Sequence, residues 1–421
     1  MKVAALTKRW LSCSLVLVAA AAYAGGCGES SGRSGSDFDG GGGEGGGDPG
    51  ADGSSRADTG NPTFGSGDGS FLDGTSSFDG AACAASVQAA KRAPANLLFI
   101  VDRSGSMSCN PPPTQTSANC EQFPRPQNPA APTKWTITRD ALKNAVAALS
   151  GSPTSVGLTY FSNGAQADSC GVQSAPNVPL APVDAALIGA VGASLTGVVP
   201  QGLTPVVGGV TLGYQHLHES PAGKALVGKK FVVLITDGFE TCAPQLVPNF
   251  INQIVVDASR VGIRTFVVGA PGSEEGRAVL SQIAYNGGTA RTATCTHTAS
   301  PANVGDCHLD LTNPSLDFAV ELPKVLDAIS REALGCEFDV PKGDGGTIDY
   351  DQVNVSFKPS GAAQEQPVLQ DPSKPCEGGA SGWQYTPDRS RILLCGPACQ
   401  AVKNDPGGQV AITLGCKTQV R

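Results

Sequence analysis

Three short stretches of this 421-residue chain offer side chains that could hold a metal ion. They are Asp102-Arg103-Ser104-Gly105-Ser106, Gly202-Leu203-Thr204-Pro205 and Leu234-Ile235-Thr236-Asp237-Gly238. The side chains among them that could donate to a metal are carboxylates and hydroxyls, with no imidazole and no thiolate. Oxygen donors of this kind suit hard divalent cations such as Mg²⁺ or Mn²⁺, which want octahedral geometry and keep some of their water. The competing reading needs no metal: Ser, Thr and Asp are also the favoured helix N-caps. Capping accounts for single residues, but not for three loops that converge.

Other chemistries find less support. Gly28-Glu29-Ser30-Ser31-Gly32 has the spacing of a hydrolase nucleophile elbow, yet no strand precedes it and no helix follows. Gly223 to Lys229 has P-loop spacing, but Lys230 stands where Ser or Thr is needed, and a strand follows where a helix must start. His216 and His218, two apart on a helix, point to different faces. Cys295, His297, Cys307 and His308 could form a zinc site, but in an oxidising compartment a Cys295–Cys307 disulfide is favoured. The four histidines yield no Ser-His-Asp arrangement, so the chain is expected not to be an enzyme.

The three loops sit at the ends of recognisable elements. Asn96 to Val101, Val156 to Phe161, Phe231 to Thr236 and Ile263 to Val268 read as buried strands. Helical spacing covers Arg139 to Leu149, Pro205 to His218, Phe250 to Val261, Glu274 to Tyr285 and Pro323 to Leu334, the last with Pro at its first turn. Strands alternating with helices predict an α/β fold: a mostly parallel central sheet with helices on both faces. Ligands bind such sheets at the carboxyl ends of the strands, where Asp102 and Asp237 lie.

At these positions the sequence resembles the von Willebrand factor A (VWA) family over roughly residues 94–335. That family's metal-ion-dependent adhesion site (MIDAS) is Asp-x-Ser-x-Ser, then a Thr, then an Asp. Carried over residue by residue, the resemblance makes Asp102, Ser104, Ser106, Thr204 and Asp237 the site. It implies a Rossmann-like fold and a bound Mg²⁺, with Mn²⁺ or Ca²⁺ as alternatives. Ser104, Ser106 and Thr204 would ligate directly, one or both aspartates would act through water, and an Asp or Glu of a partner would fill the remaining position. The implied function is metal-dependent adhesion to an acidic protein or glycan ligand. The alternative is an envelope structural or assembly component whose metal site is vestigial. The chain departs from the family pattern at residues 107–134, a Pro-rich insertion with Cys109 and Cys120. It is expected at the rim of the metal face, stiffened by a Cys109–Cys120 bridge.

The flanks speak of export. Lys2, Lys8 and Arg9 precede the apolar run Leu11 to Ala22, which is short for a membrane span and reads as a signal peptide over residues 1–26. Two cleavage readings compete: Ala22-Tyr23-Ala24 suits ordinary secretion, while Ala24-Gly25-Gly26-Cys27 resembles a relaxed lipobox that would lipidate Cys27. Of 14 cysteines, Cys13 leaves with the signal; lipidating Cys27 leaves an even 12, whereas leaving it free strands a thiol. Gly28 is not acidic, which points to an outer-membrane lipoprotein or an extracellular location, held to a membrane by the lipid alone. Residues 27–82, rich in Gly, Ser and Asp, read as a disordered tether with a reach of about 40 Å. Net charge is −8, near −11 once the leader's three basic residues are gone. That excludes nucleic acid as a partner.

The domain boundaries expected are 83–335 for the VWA domain and 336–421 for a small C-terminal β domain. The β reading rests on alternation at Val353, Val355 and Phe357, on Arg391 to Leu394 and Gln409 to Leu414, and on the turn Asn404-Asp405-Pro406-Gly407-Gly408. Cys376, Cys395, Cys399 and Cys416 are expected to pair among themselves in one of three connectivities. Cys83 and Cys336 bracket the central domain and are expected to pair, leaving Cys170 and Cys242 by elimination.

Overall fold

The computed structural model describes residues 86–163, 169–298, 305–341, 348–405 and 407–421. The expected signal peptide, the lipidation site Cys27, the tether and Cys83 lie outside the described residues. The described chain begins with strand β1 (Ser86–Ala89) and enters β2 (Ala95–Asp102), every residue of which is buried. Alternation sends Leu97, Phe99 and Val101 into one apolar core and Leu98 and Ile100 into a second. A strand buried on both faces belongs in the middle of a sheet. β3 (Thr154–Phe161) lies parallel on one side of β2, with β4 (Val178–Pro182) antiparallel at its outer edge. On the other side β5 (Lys229–Thr236), β6 (Ile263–Gly269) and β7 (Leu309–Asp310) follow in parallel, giving the order β4-β3-β2-β5-β6-β7.

Helix α1 (Ser117–Gln122) lies inside the insertion, and α2 (Lys134–Ala148), α3 (Ala185–Thr196), α4 (Val206–Glu219), α5 (Pro221–Ala225), α6 (Val256–Arg260), α7 (Arg277–Asn286) and α8 (Phe318–Leu334) follow. Trp135, Leu142 and Val146 of α2, Leu187 and Val191 of α3, and Leu322 and Leu326 of α8 fill the core behind Phe99. Val210 and Tyr214 of α4, Phe250 and Val255 of the π-helical turn before α6, and Leu280 and Ile283 of α7 fill the core on the Ile100 side. The mostly parallel α/β architecture is therefore the one expected.

The element ends differ in instructive ways. Helix α2 starts at Lys134 rather than Arg139, because Thr133 and Thr136 form a reciprocal capping box that nucleates an earlier turn. Helix α8 starts at Phe318, capped by the Asp317 carboxylate accepting from Ala319 N, and carries Pro323 in its interior instead of at its first turn. Strand β4 and helix α3 were not anticipated.

The C-terminal region forms two antiparallel sheets around one core. Strand β8 (Glu337–Asp339), β9 (Val353–Lys358), β10 (Gln366–Val368), β11 (Gly382–Tyr385), β12 (Arg391–Cys395) and β13 (Gln409–Leu414) assemble as β1-β13-β9-β10 and β11-β12-β8. Phe338, Val355, Trp383, Ile392 and Ile412 pack between them with Ala398 and Val402 of helix α9 (Gly396–Asn404), which the alternation did not reveal. Strand β1, expected within the VWA domain, pairs instead with β13, from Ser86 opposite Leu414 to Ala89 opposite Ala411. The boundary near 83 is thereby corrected: both flanks of the α/β domain build the β domain, and Arg92 bridges to Phe338 where the chain crosses over. Among the described residues no helix is long and apolar enough to cross a membrane.

The disulfides Cys109–Cys120, Cys170–Cys242 and Cys295–Cys307 are present, with Cα–Cα separations of 5.9, 5.8 and 5.0 Å. The expected Cys83–Cys336 pair is not, because β8 and α9 share a core and bring Cys336 to Cys399 at a Cα–Cα distance of 5.4 Å. The expectation that Cys376, Cys395, Cys399 and Cys416 pair among themselves is corrected too. Cys376 bonds Cys395, and Cys416, itself disulfide-bonded, pairs with none of the other three.

With Cys295 and Cys307 bonded to each other, His308 turns inward, its Nδ1 2.8 Å from Ser281 Oγ in a fully buried contact. Burial pushes the His308 imidazole down to about 4. The unfolded chain takes up this proton near pH 6.5, the folded chain only near pH 4, so stability is complete above the first value and drains away towards the second. The denaturant midpoint of the native chain is expected to fall across that window more steeply than that of His308→Gln. Parallel slopes for the two proteins would contradict the assignment.

Candidate metal centre

The strand order reverses direction at β2, whose neighbours β3 and β5 lie on opposite sides, and this is the point where α/β sheets open a crevice. Asp102 is the last residue of β2, and Asp237 follows directly after β5. With Val101 opposite Ile235, the two carboxylates arrive side by side. Asp102 is completely buried; its Oδ1 accepts from Ser104 N at 2.7 Å and its Oδ2 from Thr236 Oγ1 at 2.7 Å. Thr236 was not named as a site residue from the sequence. The available signal was a hydroxyl ending an otherwise apolar strand, because a buried polar group needs a partner.

The hydroxyls continue the chain of contacts. Ser104 Oγ lies 3.0 Å from Ser106 Oγ, and Ser106 Oγ donates to Asp237 Oδ1 at 2.8 Å. Gly105 N donates to Gly202 O at 3.0 Å, fastening the first loop to the one that carries Thr204. Gly202 adopts φ +92, and a Cβ there would sit 2.1 Å from Ser162 Oγ, so this close approach requires glycine. Thr204 is locked to the third loop: its N–H donates to Thr241 Oγ1 at 2.9 Å, and its carbonyl accepts from Thr241 N at 3.1 Å. A Cβ on Gly238 would lie 3.5 Å from Thr204 Oγ1, so the Thr204 hydroxyl borders the Asp237-Gly238 turn.

Two further devices hold this frame. Glu240, also unnamed from the sequence, accepts from Val207 N at 2.6 Å and from Cys242 N and Ala243 N at 2.7 Å each. Its carboxylate thus satisfies an otherwise unpaired donor in the first turn of α4. The Cys170–Cys242 disulfide ties the same loop to residues 169–170, where Ser169 O accepts from Leu203 N at 3.0 Å.

The centre is short of positive charge. Burial, and after it the neighbouring Asp237 carboxylate, push Asp102 up to about 7. The cation in contact with the carboxylates is Lys134, the first residue of α2, whose Nζ stands 2.5 Å from Asp237 Oδ2 with both side chains buried. The ammonium also donates to Pro271 O at 2.8 Å. Asp237 Oδ2 is therefore a buried carboxylate oxygen whose partner is the Lys134 ammonium. Among the described residues no group of three or more His, Cys, Asp or Glu gathers as a metal cluster. The donors here are two carboxylates and three hydroxyls, and that set fits a hard cation.

No protein-family model and no curated protein matches the chain. Among solved structures it is similar to the pilus adhesin SpaC of Lactobacillus rhamnosus GG, at 14% identity and a TM-score of 0.40, over 78% of this chain and 40% of that one. It is similar to proximal thread matrix protein 1 of the mussel byssus, solved with a zinc-occupied MIDAS motif, at 18% identity and TM-score 0.34, over 60% and 50% of the two chains. It is also similar to a von Willebrand factor type A protein of Catenulispora acidiphila, at 13% identity and TM-score 0.34, over 80% and 66%. The chain spans about two-fifths of the length of the adhesin. The fold assigned above rests on this chain's own strand order and register.

Thr236→Val keeps the shape of the side chain and removes the donor to Asp102 Oδ2. It is expected to cost about 1–3 kcal/mol, the usual penalty for stranding a buried polar atom. Urea unfolding measures this directly, and an unchanged midpoint would show that the hydroxyl does not hold Asp102.

Proposed function

We propose that this protein is a VWA-type binding module that holds a divalent cation through Asp102, Ser104, Ser106, Thr204 and Asp237 and grips an acidic group of a protein or glycan partner. The observation that carries the reading is the convergence of three loops on an all-oxygen donor set at the sheet's switch point. A Mg²⁺ or Mn²⁺ held there would supply a Lewis-acidic centre that a carboxylate of the ligand could meet. Ser104, Ser106 and Thr204 offer neutral oxygens to the ion, while Asp102 and Asp237 supply the negative charge. Partly exposed Leu203, Phe239 and Phe123 stand on the loops beside the site, giving a ligand an apolar rim.

Binding rather than catalysis is the proposed role. The Ser281–His308 contact is sealed in the interior, where no substrate reaches it. An envelope location, with lipidation at Cys27 and a long tether, is part of the same proposal. One observation favours a second reading, a structural or assembly component that has given up its ion: Lys134 already sits on Asp237.

Thermal unfolding of the full chain separates the two. Saturating Mg²⁺ or Mn²⁺, at about a hundred times its dissociation constant, is expected to stabilise the native protein by about 2.7 kcal/mol. Asp102→Ala should show no such gain, and chelator should release ligand captured from the native cell surface. Stabilisation that is absent, or the same in Asp102→Ala, would overturn the cation reading.

A further inference from the structure

We infer that Lys134 is a resident counter-ion that competes with the divalent cation for Asp237, and that the 107–134 insertion is the device that places it. This inference rests on the cation reading above.

The insertion holds Lys134 from one side. Lys134 N donates to Cys109 O at 2.8 Å, directly beside the Cys109–Cys120 bridge. Asn110 Nδ2 ties down the return of the loop by donating to the carbonyls of Asn128, Ala131 and Pro132. The insertion also holds the cradle on the other side. Ser117 Oγ of α1 donates to Glu274 Oε1 at 3.0 Å, and Glu274 Oε2 accepts from Gly272 N at 3.0 Å. Gly272, at φ +118, lets the 271–272 backbone close on the ammonium; a Cβ there would lie 3.1 Å from Lys134 Nζ and 2.5 Å from Asp237 O. The ammonium is thus fixed between Pro271 O at 2.8 Å and the Asp237 carboxylate, with which it forms a buried ion pair at 2.5 Å.

Charge arithmetic gives the consequence. With both carboxylates ionised, the one ammonium leaves the centre a single negative charge before any cation enters. A divalent cation turns that into one positive charge and must share Asp237 Oδ2 with the ammonium. The ion is then held less tightly and is exchangeable, while the loaded centre favours a monoanionic ligand such as a single carboxylate.

The test titrates Mn²⁺ alone into the full-length native chain and into Lys134→Met, following binding by calorimetry. An opposite charge at this distance changes the proton affinity of a carboxylate by about one to three powers of ten, and a gain of at least about tenfold in Mn²⁺ affinity is expected for Lys134→Met on the same basis. Equal or weaker binding by the variant overturns the inference but leaves the cation reading standing. No binding by either protein removes both. Should Lys134→Met not fold, the native protein decides: the NMR resonance of the Lys134 ammonium, assigned through its own side chain, should shift as Mg²⁺ saturates the site. A resonance unmoved at saturation rejects the competition.

Discussion

Two carboxylates buried side by side at the ends of adjacent parallel strands impose the central constraint on this molecule. Asp102 and Asp237 cannot both carry charge in the interior without compensation, since burial and like charge both disfavour ionisation. Much of the surrounding structure answers that demand. Ser104 N and Thr236 Oγ1 donate to Asp102, Ser106 Oγ donates to Asp237, and Lys134 brings the opposite charge. None of these supplies as much positive charge as a divalent ion would. The site is therefore assembled in advance of the cation proposed for it, and its geometry is held by the frame of Glu240, Thr241 and the Cys170–Cys242 bridge.

The frame explains why three loops of unrelated sequence hold one arrangement. Each loop is fixed by backbone bonds to another: Gly105 to Gly202, Gln201 to Arg103, Thr204 to Thr241. Preorganised donors avoid the reorganisation cost that flexible loops would meet on binding. The insertion extends the same logic outward. It reaches Glu274 on the far side of the crevice and places Pro124 over Gly105, where a Cβ would lie 3.5 Å from the Pro124 ring.

Much of the α/β framework was legible in the sequence because its signals are local. The continuous apolar runs of β2 and β5 mark buried parallel strands, and the polar residues that end them stand at the carboxyl edge by construction. Asp102 and Asp237 stand there for the same reason, while Ser104, Ser106 and Thr204 come from the resemblance to the VWA family's motif. Lys134 could not, since its partner lies about a hundred residues away and its position depends on how a Pro-rich loop returns. Strand β1 was missed because four residues of mixed polarity carry no period of their own; only β13, at the other end of the chain, gives them a place. Cys336 misled for a related reason: proximity of domain ends suggested Cys83, whereas the packing of β8 against α9 decided for Cys399. Helix α9 is short and lies between two strands, with Pro397 in its first turn, where Pro is at home.

The insertion of the α/β domain between β1 and β8 has a mechanical side. From Ser86 the chain runs through β1, which pairs with β13 in the β domain, and then enters β2, which ends at Asp102. A pull between a ligand on the metal face and the chain before Ser86 would act along β2, lengthwise against β3 and β5 in register on either side. Under such a lengthwise pull the ladder bonds along both edges of β2 strain together, whereas a strand peeled from one end loses them in turn. The strand that positions the site is thus also the one placed to carry tension through it.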